Sequence, residues 1–167
     1  PMGAPLFQIQ KLLETHQTAI FSSNFALYGD ISSRVMQLVE SLAPKIEVYS
    51  IDEAFIDFSG LADISKTALH IRQQIATCIG IPTCIGVAPT KTLAKVANHL
   101  AKKDSVRQGV CVLKGESEID VALKTLEVKD LWGIGKRIAN RLNQVGIRTA
   151  YQLKKIDPRW MRQHFTV

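Results

Sequence analysis

The sequence has few cysteines, no zinc-type spacing and no long hydrophobic run. Its three cysteines form no CxxC pair, which disfavours a disulfide scaffold or zinc site and is typical of a protein in a reducing cytosol. The four histidines are scattered and form no HExxH motif, so we assign them no metal. No segment approaches the roughly 20 apolar residues of a membrane span, and no secretory signal is present. We therefore expect a cytoplasmic protein without a membrane partner.

Charge is distributed unevenly along the chain. Residues 1–60 carry three basic and seven acidic side chains, a net charge of −4, whereas residues 61–113 and 114–167 each carry +5. The two basic segments suggest a polyanionic partner such as nucleic acid. A carboxylate cluster repels phosphate unless a metal ion lies between them, so the acids of the first segment need an explanation.

Hydrophobic periodicity predicts an α+β fold in which helices pack on a mixed sheet. Helices are predicted in DISSRVMQLVESLAP, capped by Asp30 or Ser32, in SKTALHIRQQIATCIG, capped by Ser65, and in TKTLAKVANHLAKK. Strands are predicted in IEVYSIDEAFIDFSG, TCIGVAP and GVCVL. From about residue 116 the pattern becomes helical, which predicts a small all-helical unit at the end of the chain.

Two adjacent acids, Asp52 and Glu53, interrupt the strand pattern of YSIDEAFIDFSG. Neighbours on a regular strand point to opposite faces, so both can reach one site only at a hairpin tip or a bulge. Carboxylates held together there suit Mg²⁺, and paired Mg²⁺ ions promote displacement at phosphorus. By itself the dipeptide favours a solvated turn. Asp57, further along the segment, is assigned a structural role.

Lys91 follows a predicted buried strand and lies in the first turn of the next helix, in GVAPTKTLAK. A cation at a helix N-terminus is unfavourable to the helix dipole. A bound polyphosphate would reverse this penalty, because helix amides and a lysine together bind anions well. An ordinary exposed lysine is the alternative that the local pattern favours.

The segment LWGIGKRIANRLNQVGIRT is typical of the hairpin of a helix-hairpin-helix unit. Gly133 and Gly135, around the apolar Ile134, allow backbone amides to approach a phosphate closely, and Lys136 and Arg137 supply positive charge. Such contacts go to the DNA backbone and do not read its sequence. A simple glycine-containing link between two helices is the alternative.

These three motifs occur in the order seen in Y-family translesion DNA polymerases. The segments FSSNFALYGDISSRVM and TKTLAKVANHLAKK most resemble the UmuC subgroup, the catalytic subunit of bacterial DNA polymerase V and its plasmid-borne relatives. The resemblance implies the end of the fingers at residues 1–24, a palm at 25–113 and a helical thumb with a helix-hairpin-helix at 114–167. It implies that Asp52 and Glu53 are catalytic ligands of two Mg²⁺ ions and that Lys91 contacts the nucleotide triphosphate. It assigns Gly133, Ile134 and Gly135, with the basic pair after them, to the DNA backbone.

The resemblance also implies an activity and a set of partners. The activity is error-prone primer extension across damaged template, as part of DNA repair in the SOS response. The substrates are primer-template DNA and a deoxynucleoside triphosphate. A UmuD-type subunit, RecA and the sliding clamp are the protein partners expected for this subgroup.

The chain departs from the family pattern at its ends. It opens on Pro-Met-Gly without an initiator methionine, and it contains neither the family's first metal-binding aspartate nor its C-terminal little-finger domain. We therefore expect an internal fragment of a polymerase that has little or no activity alone. A non-catalytic DNA-binding fragment is the alternative function.

Overall fold

The computed structural model describes residues 3–165, within which the chain forms eight α-helices and four short strands. The helices are α1 (Leu6–Thr15), α2 (Phe25–Leu42), α3 (Ile64–Ile79), α4 (Lys91–Lys103), α5 (Glu116–Thr125), α6 (Lys136–Gln144), α7 (Ala150–Lys154) and α8 (Pro158–His164). The strands are β1 (Ile46–Val48), β2 (Ala54–Ile56), β3 (Ile85–Val87) and β4 (Val110–Val112). The predicted α+β class is confirmed. No helix in this range is long and apolar enough to cross a membrane.

Two helices begin earlier than predicted because better-placed caps precede them. Helix α2 follows Asn24, whose side chain accepts a hydrogen bond from an amide of the first turn, so the predicted caps Asp30 and Ser32 lie inside the helix. Helix α3 follows Asp63, which caps it in the same way, and Ser65 lies in its first turn. Asn and Asp at these positions satisfy amides that a helix start leaves unpaired.

The strands form two separate two-stranded sheets, and the single mixed sheet predicted from the sequence is not observed within residues 3–165. Strands β1 and β2 are antiparallel, with Glu47 opposite Phe55. Strands β3 and β4 are parallel, with Gly86 opposite Cys111. A cleft of about 590 Å³ is lined by residues of both sheets and by the start of α4. The sheets are therefore separated by space that no described strand fills.

Three apolar clusters hold these elements together. The first joins α2, α3 and the hairpin, the second joins α4 and β4 to α5 and α7, and the third lies among the last helices. The second cluster contains Val96 and Cys111 together with Leu123 and Ala150. The predicted palm and thumb segments thus share a core through α4 and β4. Burial is the largest cause of the raised pKa of the Cys111 thiol.

A network of two salt bridges, both made by Lys154, connects α7 to α5. Lys154 Nζ lies 2.6 Å from a Glu116 oxygen and 2.9 Å from Asp120 Oδ1. Its hydrogen bond is the largest cause of the lowered pKa of the Asp120 carboxyl, and the same contacts raise the pKa of Lys154.

This network predicts a pH dependence of stability. A carboxyl whose pKa is lowered in the folded state stabilises it above the ordinary pKa, here 3.8, and this contribution is lost as the pH falls through the folded value. We expect the free energy of unfolding, measured by urea titration, to fall as the pH is lowered from about 5 to below 3.8. Lys154→Met should flatten part of that decline, while Lys66→Met should not. An unchanged decline in Lys154→Met would contradict the assignment.

Candidate active site

The acidic pair lies in the loop between β1 and β2. The amides of Tyr49 and Ser50 both donate to the carbonyl of Glu53 at 3.0 Å, which closes the turn. Because the strand pleat is interrupted there, the side chains of Asp52 and Glu53 do not have to point to opposite faces, as neighbours on a regular strand do. The predicted location at a hairpin tip is confirmed. Their catalytic and metal-binding roles remain predictions.

Two ion pairs join this hairpin to α4. Lys91 Nζ lies 2.6 and 2.5 Å from the two carboxylate oxygens of Glu47. Lys95 Nζ lies 2.9 and 2.8 Å from those of Glu53. The lysines are four residues apart and share one face of the helix. The Glu53–Lys95 pair is the more enclosed, with side chains 31% and 23% exposed against 60% and 49% for the other pair, so water screens it less.

Asp52 is the exposed member of the acidic pair. Its Oδ1 accepts a hydrogen bond of 2.6 Å from Ser50 Oγ. Together with Glu53 it offers adjacent hard oxygen donors, which fit a divalent cation of the Mg²⁺ type. No group of three or more acidic, histidine or cysteine side chains suited to a metal occurs between residues 3 and 165. The two residues therefore fit such a cation as part of a ligand set.

Lys91 is the first residue of α4. The preceding Thr90 caps the helix, with its hydroxyl accepting from the Leu93 amide at 3.3 Å. The predicted placement in the first turn is confirmed. The Glu47 carboxylate offsets the unfavourable interaction of this cation with the helix dipole. An anion that binds Lys91 would have to compete with Glu47.

An aromatic cluster of Tyr49, Phe55 and Trp132 packs beside the ion pairs. Tyr49 meets Phe55 at 5.7 Å and Trp132 at 5.4 Å between ring centroids, and Phe55 lies 5.7 Å from Trp132. The indole Nε1–H of Trp132 donates to Tyr49 Oη at 3.2 Å. These contacts connect the acidic hairpin with the segment that precedes α6.

The glycine turn leads directly into α6. Gly133 has a φ of +90°, in the left-handed region that favours glycine, whereas Gly135 has a φ of −80° and precedes the first helical residue. No heavy atom lies within 4 Å of a Cβ built at either glycine, so a ligand can reach this backbone. Lys136 and Arg137 begin α6 and are exposed. The element before the turn is a three-residue 3₁₀ helix, so the predicted helix-hairpin-helix is not confirmed.

Asp57 takes a local role after β2. Its Oδ1 accepts from the Ser59 amide at 2.9 Å, and hydrogen bonding by the side chain and amide of Ser59 lowers the pKa of the Asp57 carboxyl. This is a turn contact of the kind aspartate commonly makes, in line with the structural role predicted for it.

Glu47 and Lys95 were not singled out from the sequence. Lys95 follows Lys91 by one helical turn. Glu47 pairs across the ladder with Phe55, which is two residues after Glu53. Both spacings are visible in the sequence once the hairpin register is known. Without that register, no pattern indicates which lysine meets which acid.

The fold is similar to that of Y-family DNA polymerases. The insertion ternary complex of Dbh DNA polymerase matches with a TM-score of 0.77 and 30% identity, over 96% of this chain and 46% of that chain. A DinB family error-prone DNA polymerase from Sulfolobus solfataricus gives the same score and identity, over 98% and 48%. The Y-family DNA polymerase chimera Dbh-Dpo4(243-245)-Dbh matches with a TM-score of 0.73 and 31% identity, over 92% of this chain and 45% of that chain.

The particular family follows from the sequence. The model of the impB/mucB/samB family matches residues 1–99, and the chain belongs to that family. It is 38% identical to UmuC of Salmonella typhimurium strain LT2 and to MucB of Escherichia coli, over 99% of this chain and 40% of each relative. It is 34% identical to DNA polymerase IV 2 of Mesorhizobium japonicum, over 83% of this chain and 33% of that relative. The chain thus spans about two fifths of the length of the UmuC-like relatives it matches.

Proposed function

We propose that this chain is part of a DNA-directed DNA polymerase that extends a primer across damaged template in error-prone translesion synthesis. One structural observation carries the proposal. The tip that bears Asp52 and Glu53 is fixed beside the first two turns of α4, where Lys91 lies, by the Lys91–Glu47 and Lys95–Glu53 ion pairs. Carboxylates for a metal and a lysine for a triphosphate are thereby held on one side of the start of α4. Family membership supports the same reading.

Y-family DNA polymerases are nucleotidyltransferases that need a divalent metal ion. We assign Mg²⁺, two ions in a complete enzyme, with Asp52 and Glu53 among the ligands. A divalent ion held by Asp52 and Glu53 would lower the pKa of the primer 3′-hydroxyl and neutralise charge at the reacting phosphate. Among the chain's own residues, Lys91 binds the triphosphate of the incoming nucleotide.

The partners of the proposed enzyme follow from the same resemblance. Primer-template DNA and a deoxynucleoside triphosphate are the substrates. In the domain terms of the family, residues 1–24 form the end of the fingers, 25–113 form most of the palm and 114–167 form the thumb. A UmuD-type subunit, RecA and the sliding clamp would bind a full-length protein active in the SOS response.

Primer extension by a chimaera tests the proposal. Residues 1–167 would replace the matching segment of MucB, and extension would be followed on undamaged and damaged templates. We expect Mg²⁺-dependent extension by the chimaera and little or none by the 167-residue chain alone. A chimaera that folds and binds DNA but never extends a primer would contradict the polymerase assignment.

A DNA-binding module is the second candidate function, favoured by the open backbone at Gly133 and Gly135. Binding should weaken with salt, with a slope of log K against log salt of about −0.9 per phosphate contact. Lys136→Met and Arg137→Met should each reduce that slope by roughly 0.9, whereas Lys66→Met, on α3, should leave it unchanged. Salt-independent binding would contradict this function.

Gly135→Ala separates DNA contact from folding. The added methyl group meets no neighbour and the backbone angle is ordinary, so the melting temperature should not fall. The methyl would cover amides that approach phosphate, and we expect a roughly fivefold loss of DNA affinity, about the net contribution of one hydrogen bond.

Gly115→Ala is the matched control, because Gly115 also precedes a helix and its Cβ would meet open space. This variant should keep its affinity. Equal DNA binding by Gly135→Ala and Gly115→Ala, measured by fluorescence anisotropy, would show that the turn does not contact DNA.

A further inference from the structure

Lys95 lies between groups of the acidic hairpin and Trp132, the residue before the glycine turn. Its ammonium lies 5.2 Å from the ring centroid of Tyr49 and 5.2 Å from that of Trp132, in addition to its two contacts with Glu53. We infer that Lys95 is a positioning residue, which orients the Glu53 carboxylate and couples it through Trp132 to the glycine turn. This inference deepens the proposed polymerase function and rests on it for its catalytic meaning.

The geometry indicates that Lys95 orients the Glu53 carboxylate and does not only neutralise its charge. Both carboxylate oxygens of Glu53 lie within 2.9 Å of the single ammonium, so rotation of the carboxylate would break one of two contacts. The pair is partly shielded from water, and cation–π attraction strengthens when the cation is desolvated. Lys95 thus has three attractive partners in a half-buried position, whereas the more exposed Lys91 has two, Glu47 and the ring of Phe55.

Trp132 continues this connection into the helical unit. Its indole N–H is held by Tyr49 Oη, and the next residue, Gly133, begins the turn whose backbone we assign to DNA. Asp52 stands outside the connection, because its side chain contacts Ser50 instead. The acidic pair therefore has one carboxylate connected to the glycine turn through Lys95 and Trp132, and one held by Ser50 within the hairpin tip.

The coupling can be measured without enzymatic activity. In the whole chain, Trp160→Phe leaves Trp132 as the single tryptophan, and its indole ¹H–¹⁵N resonance reports on the cation beside the ring. Glu53→Gln removes the charge that holds Lys95, and we expect it to shift this resonance. In a Lys95→Met background the same substitution should produce little or no shift.

Two further variants separate positioning from general stability. Lys95→Arg keeps a cation between the rings and should restore most of the response to Glu53→Gln, whereas a purely structural role would not require it. Lys102→Met removes an exposed lysine from the same helix and should leave the response intact. Far-ultraviolet circular dichroism verifies that each variant is folded.

The outcomes distinguish this inference from the proposed function. An equal shift in the Lys95 and Lys95→Met backgrounds, or no shift in either, would overturn the inference. A shift that depends on Lys95 would support it even if the MucB chimaera failed to extend primers. A chimaera that is active while the coupling is absent would leave the polymerase assignment standing and remove the role of Lys95.

Discussion

Asp52→Asn is expected to lower primer extension by the MucB chimaera at least about a hundredfold, which corresponds to roughly 2.7 kcal/mol of transition-state stabilisation. The substitution removes a negatively charged ligand and retains a side chain of the same size. Glu53→Gln should have an effect of similar size, because it removes the second ligand and also breaks the ion pair with Lys95. DNA binding should persist in both variants, since the proposed DNA contacts lie at Gly133–Arg137.

Asp57→Asn is the matched control for these substitutions. Asp57 belongs to the same segment, but its oxygen accepts a hydrogen bond from the Ser59 amide, and an asparagine oxygen can accept the same bond. Extension should remain near the unmodified rate. Undiminished extension by both Asp52→Asn and Glu53→Gln, in single-turnover assays with saturating Mg²⁺, would reject the catalytic assignment.

Gly86→Ala is expected to destabilise the fold more than any other glycine substitution considered. An ideal Cβ at Gly86 would lie 2.1 Å from the amide nitrogen of Asn98 and 2.2 Å from the carbonyl oxygen of Ala94. Both are backbone atoms of α4, so no side-chain rotation relieves the clash. We expect a loss of about 3 kcal/mol or more, seen as a decrease of roughly 6–12 °C in the melting temperature.

Gly29→Ala provides the opposite result as a control. Gly29 lies inside α2, and an added Cβ there meets no atom within 4 Å. Alanine is the better helix former, so this variant should gain roughly 0.5–1 kcal/mol. If both variants unfold at the same temperature as the unmodified chain, that result would contradict the close packing of α4 on β3 at Gly86.

Local patterns predicted most of the helices and strands because each carries its own periodicity and punctuation. The hairpin tip at Asp52 and Glu53 was predictable, since two acids that must reach one site cannot occupy a regular strand. Lys91 at the start of α4 was likewise predictable, because the sequence runs from a buried strand through Pro89 into a helix. Helix α1 was not predicted, and none of its residues is buried.

Features that depend on register and on long-range contacts were not predictable. Pairing of Lys95 with Glu53 requires the hairpin and α4 to meet at one relative position, 42 residues apart in the chain. The contact between Tyr49 and Trp132 spans 83 residues. The separation into two sheets also escaped prediction, because strand patterns do not state which strands pair. Metal binding and DNA binding at these sites remain predictions.

Manganese-induced line broadening tests the central claim, that Asp52 and Glu53 bind a divalent cation beside Lys91. A ¹H–¹⁵N spectrum of the chain would be recorded with increasing Mn²⁺, a paramagnetic substitute for Mg²⁺. We expect the amides of residues 50–54 to broaden first, those at the start of α4 to follow, and both effects to vanish in the Asp52→Asn/Glu53→Gln variant. Broadening centred on another acidic group, such as Glu116 and Asp120, or unaffected by the double substitution, would contradict the assignment.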